Sequence, residues 1–106
     1  MADGLEERHR RAIIGILAAN PKVERAVLFG SRAKGTFSPA SDIDIALFGR
    51  ELAPADLADL KARIEETTIP QMVDLLLYQT ITNEALQKEI TEQGIAWYRR
   101  RNGSEK

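Results

Sequence analysis

Cysteine is absent from the 106 residues. That excludes disulfides, thiolate chemistry and cysteine-based zinc sites, and it fits a reducing cytoplasm. Neither sign of charge is in excess, since 15 lysines and arginines face 16 acids for a net charge of −1. A chain so balanced gives no support to tight, non-specific nucleic-acid binding, and direct contact with nucleic acid is not expected. Long hydrophobic runs are missing too. The longest, Ala12 to Ala19, has eight residues and contains Gly15, far short of a membrane span. It follows the basic cluster Arg8-His9-Arg10-Arg11, the layout of a signal peptide, but Asp3, Glu6 and Glu7 spoil the positive leader region. Removing it would also delete an amphipathic helix, so a cytoplasmic location is expected.

What is present suits one globular domain over residues 1–106. Hydrophobic residues make up 43% and charged residues 29%, too apolar for a disordered chain. Leu5, His9, Ala12, Ile13, Ile16 and Leu17 recur at helical spacing and predict a helix over about residues 4–19, ended by Asn20-Pro21. Ala26-Val27-Leu28-Phe29, closed by Gly30, reads as a buried strand. After a polar, turn-rich stretch, residues 42–48 alternate with Ile43, Ile45 and Leu47 on one face, which means a second strand. Pro54 opens a helix with Leu57, Leu60 and Ile64 as its stripe. Residues 72–78 form a third strand, and a last helix runs from about Asn83 to Gln93, stopped by Gly94 as a C′ residue. Ile95-Ala96-Trp97-Tyr98 is expected to pack back on the domain, Arg99 to Arg101 to be a solvated basic tail, and residues from about 102 to be disordered. The order α-β-turn-β-α-β-α predicts an α/β (α+β) domain, a small mixed sheet with flanking helices.

One stretch carries chemistry. Asp42 and Asp44 sit at i and i+2 of a strand, so both project to one face with Cα atoms about 6.6 Å apart. Two carboxylates about 5 Å apart repel by roughly 3 kcal/mol at an effective dielectric of 20. A divalent cation removes that penalty, and oxygen ligands favour Mg²⁺ or Mn²⁺; the alternative is a solvated strand end with two exposed acids. Asp74 lies in an apolar strand that a neighbouring position would bring beside the pair, where a third carboxylate completes a two-metal clamp. Its bland counterpart is a strand-edge acid meeting an arginine. Gly30 permits a tight turn, and Ser31 suits the N-cap of a short helix whose free amides attract an anion. If the first two strands are antiparallel and the third is parallel to the second, all three acids meet at one end of the sheet beside Gly30-Ser31.

Gly30-Ser31, followed 11 residues on by Asp42-x-Asp44 and then by Asp74 in a later strand, resembles the nucleotidyltransferase superfamily related to DNA polymerase β. The short chain, with Gly-Ser-Arg-Ala-Lys-Gly and Ser-Asp-Ile-Asp, is similar in particular to its minimal nucleotidyltransferases. The resemblance implies ATP as substrate and Mg²⁺ or Mn²⁺ as cofactor. It implies that Asp42, Asp44 and Asp74 hold the metals, with Asp74 helping to activate a hydroxyl. Gly30, Ser31, Arg32 and Ser41 would contact the nucleotide, with Arg32 and Lys34 steadying the triphosphate or the leaving group; the alternative for these two is a pair of solvated helix charges. It implies further that the acceptor is a hydroxyl, a tyrosine's, on a cognate HEPN-type toxin, which makes the chain an antitoxin. In so short a chain no further domain is expected to grip an acceptor, so that surface is expected from a partner protein or a homodimer. The alternative is an antitoxin that only masks its partner, for which an exposed apolar patch on the terminal helices would speak. His9 and Trp97-Tyr98 read as packing residues.

Overall fold

The computed structural model describes residues 3–101, so the tail expected from about residue 102 lies outside the described residues. The first helix, α1, spans Glu7–Ala18, starting later than its periodicity predicts. The cause is Asp3-Gly4. The buried Asp3 carboxylate accepts from the Leu5 amide at 3.0 Å and from Arg10 Nη2 at 2.6 Å, and Gly4 takes φ 74°. The chain therefore stays non-helical through Leu5, which is itself buried.

Strands β1 (Arg25–Phe29), β2 (Ile43–Phe48), β3 (Val73–Leu77) and β4 (Ile95–Arg99) form one mixed sheet in the order β3-β2-β1-β4. β1 is antiparallel to β2 and β4, while β2 is parallel to β3. The parallel pair is possible because helix α3 (Pro54–Glu65) fills the crossover. Pro54 starts α3 without a lost hydrogen bond, and Asp56 reaches back to accept from the Ala53 amide at 2.8 Å. Helix α4 (Glu84–Gln93) is capped by Asn83, whose side chain accepts from the Leu86 amide.

The two sheet faces differ. One carries Ala26, Leu28, Ile43, Ile45, Leu47, Val73 and Leu77 against Ile13 and Leu17 of α1 and Leu60 and Ile64 of α3. The other carries Val27, Phe29 and Ala46 under Ile90 of α4. β1 and β2 are thus covered on both sides, which is why β1 reads as an unbroken apolar run. The alternation in β2 marks only where its second face ends in acids.

Three expectations are corrected. The C-terminal stretch does not merely pack back; it is strand β4, the fourth strand, hidden from sequence because Ile95 to Arg99 lacks alternation. Gly94 is not a left-handed C′ residue but extended, φ −72° and ψ 157°. Its value is space, since a Cβ there would collide with the Ile90 carbonyl and Val27, so α4 passes straight into β4 against β1. Arg100 is not solvated. Its Nη2 donates to the carbonyls of Ala18 and Asn20 at 2.9 and 3.0 Å, and its Nε to Val23 at 3.1 Å, satisfying the open end of α1. Trp97 and Tyr98 do pack on the main core, and His9 is buried. Among the described residues no helix is long and apolar enough to cross a membrane.

Candidate active site

The register brings the chemistry together. Phe29 opposes Asp44 in the antiparallel pair, and Asp44 opposes Asp74 in the parallel one. Partners in register share a face, so Asp44 and Asp74 project to the same side about one strand spacing, 4.8 Å, apart. Asp42 precedes β2 by one residue, two positions from Asp44. Gly30 follows Phe29 and lies against the same carboxylate: a Cβ on Gly30 would sit 2.5 Å from Asp44 Oδ2. Gly30 takes φ 80° and ψ −155°, a conformation nearly closed to other residues.

Gly30 rather than Ser31 is the N-cap of the short helix α2 (Ser31–Lys34). Its carbonyl accepts from the Ala33 and Lys34 amides, both at 3.1 Å. The amides of Ser31 and Arg32, the first two of the helix, have no intrahelical partner, and they follow Gly30, which lies against Asp44.

Charge at this end of the sheet is uncompensated around Asp44. Burial, then the charges of Asp74, Asp42 and Glu89, push the Asp44 carboxyl above its ordinary range. Asp74 is exposed, with Lys61 Nζ, from α3, 3.9 Å from its Oδ1, so a lysine stands where the bland reading of this acid expects an arginine. Lys34 is drawn the other way, 3.6 Å from Glu89 on α4. The residues fit a divalent cation by donor chemistry: Asp42 and Asp74 lie near enough to Asp44 for their charges to act on it, and that half-buried carboxylate carries a charge its neighbours oppose. Among the described residues no three acidic or histidine groups already stand as a metal-holding cluster; Asp42 and Asp74 are exposed and would have to turn. A groove of about 730 Å³, lined by Arg11, Gly15, Asp56 and Arg63 among others, lies between α1 and α3 on the far side and includes none of these residues.

Two expected nucleotide contacts are placed otherwise. Arg32 is only 1% exposed and donates to the backbone carbonyls of Asp3, Ser38, Pro39 and Ser41. It faces inward, with its donors taken up by those carbonyls. The Ser41 hydroxyl accepts from the Ser38 amide at 2.8 Å and lies 3.3 Å from the Ser38 hydroxyl, closing the turn that leads into Asp42.

Residues 11–102 match the family described as Polymerase beta, Nucleotidyltransferase. The chain belongs to that family. A protein of Methanocaldococcus jannaschii, provisionally named a protein adenylyltransferase, is 41% identical over 73 residues, 68% of this chain and 76% of that protein. Among solved structures, a chain of a toxin–antitoxin complex with AMP-PNP superposes with TM-score 0.71 at 28% identity, covering 87% of this chain and 74% of that one. A chain from the tri-AMPylated Shewanella oneidensis HEPN toxin in complex with its MNT antitoxin gives TM-score 0.68 at 22% identity, over 91% of this chain and 74% of that one. At that identity the likeness is one of fold.

Sequence reasoning about this nucleotidyltransferase overlooked Glu89 and Lys61. Glu89 had a legible signal, because it lies beside Ile90 and three residues after Leu86, on the inward side of α4. Lys61 directly follows the buried Leu60, so it flanks the stripe of α3. Nothing local says that Lys61 meets Asp74 or that the charge of Glu89 acts on Asp44, since both pairings are long-range.

Proposed function

We propose that this protein transfers AMP from ATP to a hydroxyl, a tyrosine's, on a HEPN-type toxin, and neutralises that toxin in the cytoplasm by the modification. The observation that carries the proposal is the pairing of Asp44 with Asp74 beside Gly30, which gathers carboxylates where a metal-bound triphosphate fits. The 41% identical relative named for protein adenylyl transfer supports the reaction. The 28% identical chain in a toxin–antitoxin complex with AMP-PNP supports ATP as donor and a toxin as acceptor.

Asp42, Asp44 and Asp74 would hold Mg²⁺ or Mn²⁺, which neutralises triphosphate charge and lowers the pKa of a bound hydroxyl. The chain's own part is positioning. Bare of a side chain, Gly30 lets the phosphates approach the backbone, and Ser31 offers its amide and hydroxyl to the β- and γ-phosphates. Exposed Asp74 accepts the proton of the incoming hydroxyl at its carboxylate. That oxygen bonds to the α-phosphorus as the bond to the β-phosphate oxygen breaks, and pyrophosphate leaves. Lys34, the exposed cation of α2, would have to leave Glu89 to steady the triphosphate.

The test is intact mass of the partner toxin after incubation with the protein, ATP and Mg²⁺. Gain of one or more AMP groups is expected, and no adduct overturns the proposal. Asp42→Asn with Asp44→Asn separates modification from masking. Loss of both transfer and toxin rescue, with the complex still formed, supports chemistry; rescue without transfer supports masking. The large apolar residues exposed among the described residues are Met72 and Ile95, neither on a terminal helix.

A further inference from the structure

Arg32 binds three separate segments into one unit. It stands in α2, one residue past Ser31. Its Nε and Nη2 donate to the Ser41 carbonyl, both at 3.1 Å, and Nη2 also donates to Pro39 at 3.1 Å and Ser38 at 3.3 Å. Nη1 donates to the Asp3 carbonyl at 2.8 Å, and the guanidinium lies 5.0 Å from the centre of the Phe37 ring. An arginine this buried is costly unless its donors are satisfied, and here a planar fork of five N–H groups matches four carbonyls.

The segments it joins are those the chemistry needs held at a fixed separation. Residues 38–41 lead directly into Asp42, and α2 follows directly from Gly30-Ser31. No β-ladder bond spans this link, because β1 ends at Phe29 and β2 begins at Ile43. Asp3 is anchored in turn by Arg10, and Gly4 packs so closely on Phe37 that a Cβ there would collide with the ring. The N-terminal segment therefore backs the turn from behind.

From this arrangement we propose that Arg32 is a positioning residue for nucleotidyl transfer: it sets Asp42 against the Gly30-Ser31 turn without touching nucleotide or metal. The proposal rests on the transfer reaction put forward above, so the wild-type protein is assayed first. Transfer by the wild type keeps that reaction standing whatever Arg32 does.

Arg32→Lys retains the charge but offers one nitrogen, which cannot serve carbonyls of Asp3, Pro39 and Ser41 together. The expected result is a fall in kcat of about a hundredfold, the scale of a 1 Å misplacement, with the KM for the toxin within about threefold of the wild type and the circular dichroism spectrum unchanged. Arg32→Ala is expected to lose transfer likewise and to regain it with millimolar guanidinium, a rescue that a loss of general stability would not show. Unchanged kcat in folded Arg32→Lys, or no guanidinium rescue of folded Arg32→Ala, overturns the proposal. Should both variants fail to fold, the wild type decides by NMR. A slowly exchanging Arg32 Nε–H that stays in place when Mg-ATP is added, while the Ser31 amide shifts, is the expected result. An Nε–H that exchanges as fast as that of exposed Arg8, or one that itself moves strongly with Mg-ATP, overturns it.

Discussion

Asp44 and Asp74 are register partners across the parallel strands β2 and β3, so two carboxylates occupy one rung of the sheet on the same face. On the same face the next rung is apolar, Ala46 with Leu76. The rung that carries the acids is also where β1 gives way to Gly30. A strand ladder that would otherwise be apolar on this face ends in paired negative charge.

That pairing has a cost for the nucleotide-free protein. Burial and the nearby charges hold the Asp44 carboxyl above its ordinary range. With the shift upward, the stability Asp44 contributes is fully present below the ordinary carboxylate range and is lost as pH rises through its elevated value. Asp44→Asn removes that loss. The variant is expected to have a higher urea midpoint than the wild type at pH 7, with the gap closing toward about pH 4. Transfer is expected to fall by about a hundredfold or more. A variant less stable than the wild type at pH 7 would contradict the reading of Asp44.

Gly30→Ala tests the close approach from the other side. The added methyl meets Asp44 Oδ2 at 2.5 Å, and φ 80° disfavours any side chain. The backbone strain alone is about 1–3 kcal/mol. Urea unfolding is expected to show a destabilisation of that order, and the thermal upshift given by Mg-ATP is expected to vanish. An upshift equal to the wild type's would mean that the turn does not face the nucleotide.

The Asp3–Arg10 pair makes part of the protein's stability depend on pH in the acid range. Burial by itself would raise the Asp3 carboxyl, but the Arg10 hydrogen bonds, the Leu5 amide and the Arg10 charge together hold it below its ordinary range. With the shift downward, its contribution is present above the ordinary carboxylate range and is lost as pH falls through the depressed value. Arg10→Met leaves a buried carboxylate unpaired and is expected to cost about 3–5 kcal/mol at pH 7. Asp3→Asn with Arg10→Met is expected to recover much of that. Equal stability of the single and double variants would rule the pair out as the cause.

Arg100 provides the contrast, since it lies beyond the end of the sheet opposite the carboxylates. Arg100→Ala removes the donor to the carbonyls of Ala18 and Val23 and one of two donors to that of Asn20, which keeps the Val23 amide. A destabilisation of about 2 kcal/mol is expected, with AMP transfer at 25 °C within about twofold of the wild type. A large loss of transfer in folded protein would show that the far end of the sheet reaches the site.

Most elements could be read locally. Period-two alternation fixed β2, the apolar run before Gly30 fixed β1, and the Leu57, Leu60 and Ile64 stripe fixed α3, because each pattern reports a burial that its own segment suffers. β4 could not be read, because an edge strand half covered by Trp97 and Tyr98 has no such pattern. Arg32 escaped for a related reason. Its partners are carbonyls, which every residue possesses, so nothing in their side chains marks them as acceptors.

The order of letters by itself determined the spacing from Ser31 to Asp42 and Asp44, the alternation that turns both acids from the core, and a third acid in a later apolar strand. Chain distance carries that information, since alternation along one strand needs no partner. Only the tertiary structure decided that Asp74 lands on the same rung as Asp44, that Arg32 faces inward and Lys34 outward, and that Glu89 adds its charge to the cluster. Those outcomes depend on register and on helix docking, which are set by contacts between segments tens of residues apart.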